Sequence, residues 1–235
     1  MKKIYHKVKR IKQGNFECGP ASLAQLLDYY GCPKTIDEII KKMELSVDLS
    51  IGTFDGFLGK AAIEFGFKAR IITQNIYVFD PTWYKLSRNK LLKKLKVLKK
   101  NVNPKNIFLK LCVDGYIKFL KAGGKIDFIP LTKELLINLL KKHPLLIGIS
   151  ATYLYKTKRY DFKKKKASDI SGHPAGHFLI LNGYDPKTDK FYITDSWYKI
   201  PFSKIGKYKV KSDILINAMF LGQATYDCTV LEIEK

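Results

Sequence analysis

The chain is short of acid: 21 Asp and Glu stand against 43 Lys and Arg, for a formal net charge of +22 over 235 residues. Net charge bears on solubility and association, not on fold. The excess therefore reads either as a solvated lysine surface or as a face for an anionic partner, such as an acidic substrate, nucleic acid or a membrane surface. Much of it lies in KLLKKLKVLKK at 90–100 and KTKRYDFKKKK at 156–166, and no clear nucleic-acid motif accompanies either. No run of about 18 apolar residues exists, so no transmembrane helix is expected. The start, MKKIYHKVKRIKQG, has no apolar stretch and does not read as a secretory signal, which makes the cytoplasm the expected compartment. Cysteine is scarce: Cys18, Cys32, Cys112 and Cys228 lie far apart with no C-x-x-C pair, which argues against a disulfide framework and a paired-cysteine zinc site. Neither an internal repeat nor a low-complexity linker is present.

What is there suffices for one sizeable core: 46% hydrophobic and 13% aromatic residues argue against disorder. After Cys18, Leu23, Leu26, Leu27 and Tyr30 recur at helical spacing. Pro20 suits a first turn, and Gly31 with Pro33 stops the helix, so a helix over about Pro20 to Tyr30 is expected, with Cys18 at or just before its start. Thr35 and Glu38 form a capping box ahead of a second helix. FDGFLGKAAIEFG reads as a third helix and FKARIIT as a strand. From Gln74 to Pro130 the character changes, with breaks at Asp80-Pro81 and Asn103-Pro104. There Leu91, Leu92, Leu95 and Leu98 form one stripe on a lysine-rich helix, expected to pack on the host domain. Residues 131–142 read as a helix capped by Thr132, and PLLIGISATYLY as a buried strand. GHFLILNGYD and KFYITDSW, joined by DPKTD, read as an antiparallel hairpin, and CTVLEIE as the last strand. Helices come first and strands mostly follow, which is α+β.

A cysteine at a helix N-terminus faces a dipole and free N–H groups that favour a thiolate, the nucleophilic form. It also needs a base. The histidines are only His6, His143, His173 and His177. His177 shares a strand face with Leu179 and Leu181, where a satisfied core histidine and a functional one are both admissible. In the expected hairpin, Asp195 falls opposite His177 or within about two residues of it, close enough to orient the imidazole. A buried Asp–His pair can equally be self-satisfying. Gln13 has an amide that, with the Cys18 backbone N–H, suits an oxyanion; as a lone residue it reads as surface glutamine. His173 and His177 form H-x-x-x-H, but Pro174 and Gly176 disfavour a helical pair and no third ligand is evident. No metal and no cofactor is expected. His173 reads as a loop residue beside the site. Arg159 is a candidate for a substrate carboxylate, with a solvated basic loop the simpler reading.

Gln13, CGPASLAQLLDYYG, GHFLILNGYD and ITDSW together resemble the papain-like cysteine peptidases of the C39 type. SIGTFDGFLGKAAIEFGF resembles the second helical segment of that family. The resemblance spans about residues 8–70 and 131–233. It implies a papain-like fold, with an N-terminal helical half whose Cys helix packs on a C-terminal antiparallel sheet. It also implies a single domain over 1–235 with an insertion or subdomain at about 74–130. By the same resemblance Cys18 is nucleophile, His177 general base and then acid, Asp195 the orienting carboxylate and Gln13 an oxyanion donor. Gln13 stands one residue closer to Cys18 than in family members, which leaves Asn15 as an alternative donor. Ser196 replaces a frequent Pro after the Asp, a change expected to affect the turn.

The expected function is a thiol hydrolase that cleaves a peptide or isopeptide bond, with a peptide or protein as partner; the charge makes an acidic one admissible. Two alternatives remain: acyl transfer or transpeptidation with the same triad, and a non-catalytic module of the same fold that uses its basic surface.

Overall fold

A computed structural model of the chain describes residues 1–45, 49 and 52–235. The Cys helix, α1, runs Cys18–Tyr29, two residues longer at its start than the sequence suggests, so Cys18 is its first residue. α2 (Ile36–Met43) opens on the expected capping box, with both Thr35–Glu38 reciprocal bonds formed. α3 is Asp55–Glu64 and leads into strand β2, Lys68–Thr73; β1 is the short N-terminal strand Ile4–Tyr5. Ser50 and Ile51, which begin the family-like phrase ahead of α3, lie outside the described residues.

Residues 74–130 contribute a 3-10 turn (Pro81–Trp83), α4 (Arg88–Asn101), α5 (Ile107–Ala122) and β3 (Lys125–Asp127). Leu91 and Leu95 of α4 are buried in the main core and Leu92 and Leu98 are packed against it, as their spacing predicts. α5 meets α3 at two glycines: a Cβ on Gly56 would lie 2.4 Å from the Gly115 carbonyl carbon, so α3 needs a bare backbone there, and a Cβ on Gly115 would press on the Phe57 ring at 3.0 Å. Fully buried Tyr116 and Phe119 of α5 join the same core as Phe57 and Leu58 of α3, each such side chain worth about 1.5–3 kcal/mol.

α6 (Lys133–Leu140) is capped by Thr132, whose hydroxyl accepts the Leu135 N–H. The expected strand at 144–155 is half right. β4 covers Leu145–Ser150 only, and Ala151–Tyr155 form the short helix α7. The switch has a local cause: the Ser150 hydroxyl accepts the Tyr153 N–H and caps α7. β5 (Arg159–Asp161) and β6 (Lys166–Ser168) form a separate two-stranded ribbon over the second lysine run. β7 (Gly176–Asp185) and β8 (Lys190–Thr194) make the expected hairpin, with a bulge between Leu181 and Gly183. β9 (Lys207–Lys211), α8 (Ser212–Leu221), a 3-10 turn (Gly222–Thr225) and β10 (Thr229–Glu234) complete the chain.

The main sheet runs β3-β2-β10-β4-β7-β8-β9, with β1 paired to β7. It is α+β as expected, but not purely C-terminal or antiparallel: β1, β2 and β3 come from the first half, and β2 pairs with β3 in parallel. Side-chain alternation splits two core layers. Leu146, Phe178 and Ile180 face α1, α3 and α5, while Ile147, Leu179 and Leu181 face α6 and α8. The sheet is thus covered on both faces, and α1 packs against β7.

Candidate active site

Cys18 opens α1 with no side-chain cap and no acidic residue in the first turn. The first N–H groups of such a helix have no intrahelical partner and aim at whatever stands before it. Gly19 allows this turn to sit tight: a Cβ there would come 2.9 Å from Thr53 Cγ2. One turn on, the Ser22 hydroxyl donates to the Phe178 carbonyl at 3.0 Å. Ser22 is four residues from Cys18, on the same helix face, and Phe178 follows His177. This bond therefore fixes the Cys helix against the histidine strand.

His177 Nε2 lies 2.8 Å from Asp195 Oδ1, both residues being buried. The hairpin sets Ile180 opposite Thr194, so Asp195 is two positions out of register with His177, within the range the sequence suggests. With Nε2 taken by the carboxylate, the other ring nitrogen is left for Cys18, whose sulfur helps to raise the imidazole pKa. Burial opposes charge on His177. The Asp195 carboxylate and the Cys18 sulfur outweigh that and raise its pKa to about 10. Burial likewise opposes charge on Asp195, and its bonds with His177 and two tyrosines hold it below the usual carboxylate range.

Those tyrosines were not legible beforehand. Tyr155, on α7, donates to Asp195 Oδ2 at 2.6 Å, and Tyr208, on β9, donates to the same oxygen at 2.7 Å. The Trp197 N–H donates to Oδ1 at 2.9 Å. Four donors thus meet one carboxylate. Burial and the Asp195 charge push both phenols up, which keeps them donors. Arg10 braces the backbone around Asp195, donating to the carbonyls of Asp195 (2.8 Å) and Trp197 (2.5 Å). Gly206, at φ +68°, accepts the Asp195 N–H, and a Cβ there would collide with Arg10.

Gln13 is buried. Its Oε1 accepts the Ser196 hydroxyl at 2.8 Å, and its own N–H bonds the Ser196 carbonyl. The hydroxyl donor identifies Oε1 as the carbonyl end, leaving Nε2 as the free donor, whose one protein contact is a long 3.3 Å bond to the Gly14 carbonyl. Ser196 thus does more than shape a turn: it ties Gln13 to the residue beside Asp195. Asn15 is exposed on the turn before α1. In that turn Phe16 adopts φ +62°, uncommon for a bulky residue, and the Glu17 carboxylate closes it on the Gly14 N–H. His173 is an exposed loop residue bridged to Tyr160, and the Arg159 guanidinium is engaged by the carbonyls of Asp169 and Ile170, not directed at a ligand.

Behind His177 lie two buried acids. Asp227 accepts from the Thr225 hydroxyl at 2.7 Å, and its carboxylate occupies the space a side chain at Gly176 would need. Burial raises it to about 8, opposed by Thr225 and reinforced by Asp55. Burial raises Asp55 to about 6 against hydrogen bonds that include Tyr116 Oη at 2.9 Å.

Among the described residues no helix is long and apolar enough to cross a membrane. No protein-family model matches the chain, and no curated protein matches it. Solved structures do. A C39-like peptidase from Bacillus anthracis aligns with a TM-score of 0.52 at 15% identity, over 100% of this chain and 98% of that one. The peptidase domain of Streptococcus ComA, a bi-functional ABC transporter of a quorum-sensing pathway, aligns at 0.45 and 13% identity, over 97% and 98%. A double-glycine-motif protease from an AMS/PCAT transporter, in complex with its leader peptide, aligns at 0.42 and 15%, over 99% and 97%. On the first of these likenesses, which spans the whole chain, the protein has the fold of a C39-like peptidase.

Proposed function

We propose that the protein is a cysteine peptidase that cleaves a peptide or isopeptide bond. The observation that carries this reading is the bond from His177 to a fully buried Asp195, with Cys18 at a helix start near enough to act on the same imidazole. The Cys18 sulfur attacks the substrate carbonyl carbon. The oxyanion is received by the Cys18 backbone N–H and by Gln13 Nε2. Gln13 is favoured over Asn15 because it is buried and its carbonyl end is held by Ser196, whereas Asn15 is exposed. The His177 imidazolium gives its proton to the leaving amine as the C–N bond breaks. Deprotonated, it then takes a proton from water, which attacks the thioester and releases the acid and Cys18. Asp195 holds the Nε2–H tautomer and stabilises the imidazolium. The whole chain acts as one catalytic domain, with 74–130 built into its helical half.

The lysine-rich β5–β6 ribbon adjoins the site through the Tyr160–His173 bridge, four residues before His177. It supports an acidic segment in the substrate. The test is incubation with a peptide library, read by mass spectrometry, with Cys18→Ser as control. Cleavage products absent from the control support hydrolysis. Ligated products in their place mean acyl transfer, and salt-sensitive binding without any Cys18-dependent product means a binding module.

A further inference from the structure

Away from the triad, His143 precedes β4 and Glu232 and Glu234 lie on β10. Glu232 and Glu234 are two apart on one strand and so share a face. β10 pairs with β4 so that Val230 meets Ile147 and Leu231 meets Leu146; continued, this register sets His143 opposite Glu234. The three side chains converge, with one ligand atom from each lying within 4.8 Å of the others.

Two of these atoms are buried without a partner. His143 is 5% exposed and Glu232 3%, yet neither His143 Nε2 nor Glu232 Oε1 has a hydrogen bond. Nε2 stands 3.0 Å from Glu232 Oε1 and 3.5 Å from Glu234 Oε1. The His143–Glu232 contact is close enough for an ion pair but is not made as a hydrogen bond. Tetrahedral ligand bonds of about 2.0–2.2 Å space neighbouring ligand atoms by roughly 3.3–3.6 Å, which matches the Glu234 separation and requires Glu232 to open by a few tenths of an ångström around a shared ion. Outer contacts also fit a ligand set. His143 Nδ1 faces the Pro144 carbonyl at 3.4 Å, which favours the tautomer with its lone pair on Nε2. Arg70 binds Glu232 through Oε2 and leaves Oε1 free. Glu234 is half-exposed, and both glutamates line a cavity of about 550 Å³, which gives solvent access for a fourth, water ligand.

We propose that His143, Glu232 and Glu234 bind a divalent zinc-class ion that joins the start of β4 to β10. One imidazole with two carboxylates suits Zn²⁺ better than Ca²⁺ or Mg²⁺, which require more oxygen ligands. Spacing in the sequence suggests no metal here, because the ligands stand up to 91 positions apart and only adjacent strands bring them together.

The test uses the full chain carrying Cys18→Ser, so that zinc cannot occupy the active thiol, after chelator treatment. Titration with ZnCl2 by calorimetry should give one ion per chain and raise the melting temperature. Glu234→Gln, at a half-exposed position that spares the fold, should weaken binding about tenfold or more, as should His143→Gln. Co²⁺ should give the absorption of a tetrahedral nitrogen–oxygen site without a thiolate band. Absence of binding, or binding that Glu234→Gln leaves unchanged, overturns the proposal.

Discussion

Asp195→Asn separates the charge of the carboxylate from its shape. Four donors point at Asp195: His177 and the Trp197 N–H at Oδ1, and the two tyrosines at Oδ2. An asparagine must turn its NH2 to one side. The Trp197 N–H can only donate, whereas a tyrosine hydroxyl can rotate to accept, so the amide NH2 should face Tyr155 and Tyr208. Its oxygen then stays on Trp197 and His177, and the imidazole keeps its tautomer. Only the charge is lost. In the native protein Asp195 and Cys18 overcome burial to raise His177 to about 10. Without the carboxylate charge its midpoint should fall to about 6.5 or below. At about pH 8 the imidazolium fraction then drops roughly 30-fold, while at about pH 6 it changes little. The alkaline limb of any peptidase activity should shift with it. Stability follows the same sign: a raised histidine contributes fully below about pH 6.5, and that contribution is lost as pH rises through about 10. The variant should lack this loss. The assay is NMR titration of labelled histidine, with the His177 signal assigned by its absence in His177→Ala. A midpoint that remains near 10 in Asp195→Asn refutes the reasoning.

Other outcomes follow from single contacts. Tyr208→Phe removes a 2.7 Å bond to a buried carboxylate, which should cost about 1.5–3 kcal/mol and lower the melting temperature by roughly 3–12 °C; no change in thermal denaturation would contradict that bond. Asp227, raised to about 8 by burial, opposes folding as pH climbs above the usual carboxylate range. Asp227→Asn should therefore be more stable than the native chain near pH 8, with the gap closing toward pH 4 in urea unfolding. Ser196→Ala frees the carbonyl end of Gln13 and should lower kcat/KM by less than Gln13→Ala does, with the His177 titration unmoved. Gln13→Ala should cost about 10²–10³ in kcat.

The parts of this arrangement that local pattern dictates could be read from the sequence. The α1 stripe, the Thr35–Glu38 box and the GHFLILNGYD–KFYITDSW hairpin each depend on spacing within one or two elements, and each is present. Cys18, His177 and Asp195 follow from those elements plus the resemblance, and they meet. Tyr155 was hidden because LLIGIS continues into ATYLY without a break in apolar character, and only the Ser150 cap ends the strand. Tyr208 sits in KYKVK, a five-residue edge strand with no pattern linking it to Asp195. Ser196 gave no sign of its bond to Gln13, because that contact spans 183 residues. Parallel pairing of β2 with β3 was equally out of reach, since it depends on how 74–130 packs across α3.

Labelling with iodoacetamide at neutral pH asks whether Cys18 is a nucleophile served by His177. Burial raises the Cys228 thiol to about 12 and holds Cys112 well above the ordinary value, while Cys32 is half-buried. Mass spectrometry of digests should show Cys18 alkylated faster than the other three thiols, and the same label on Cys18 should slow in His177→Ala. Equal labelling of all four cysteines, or a Cys18 rate indifferent to His177, would contradict the account.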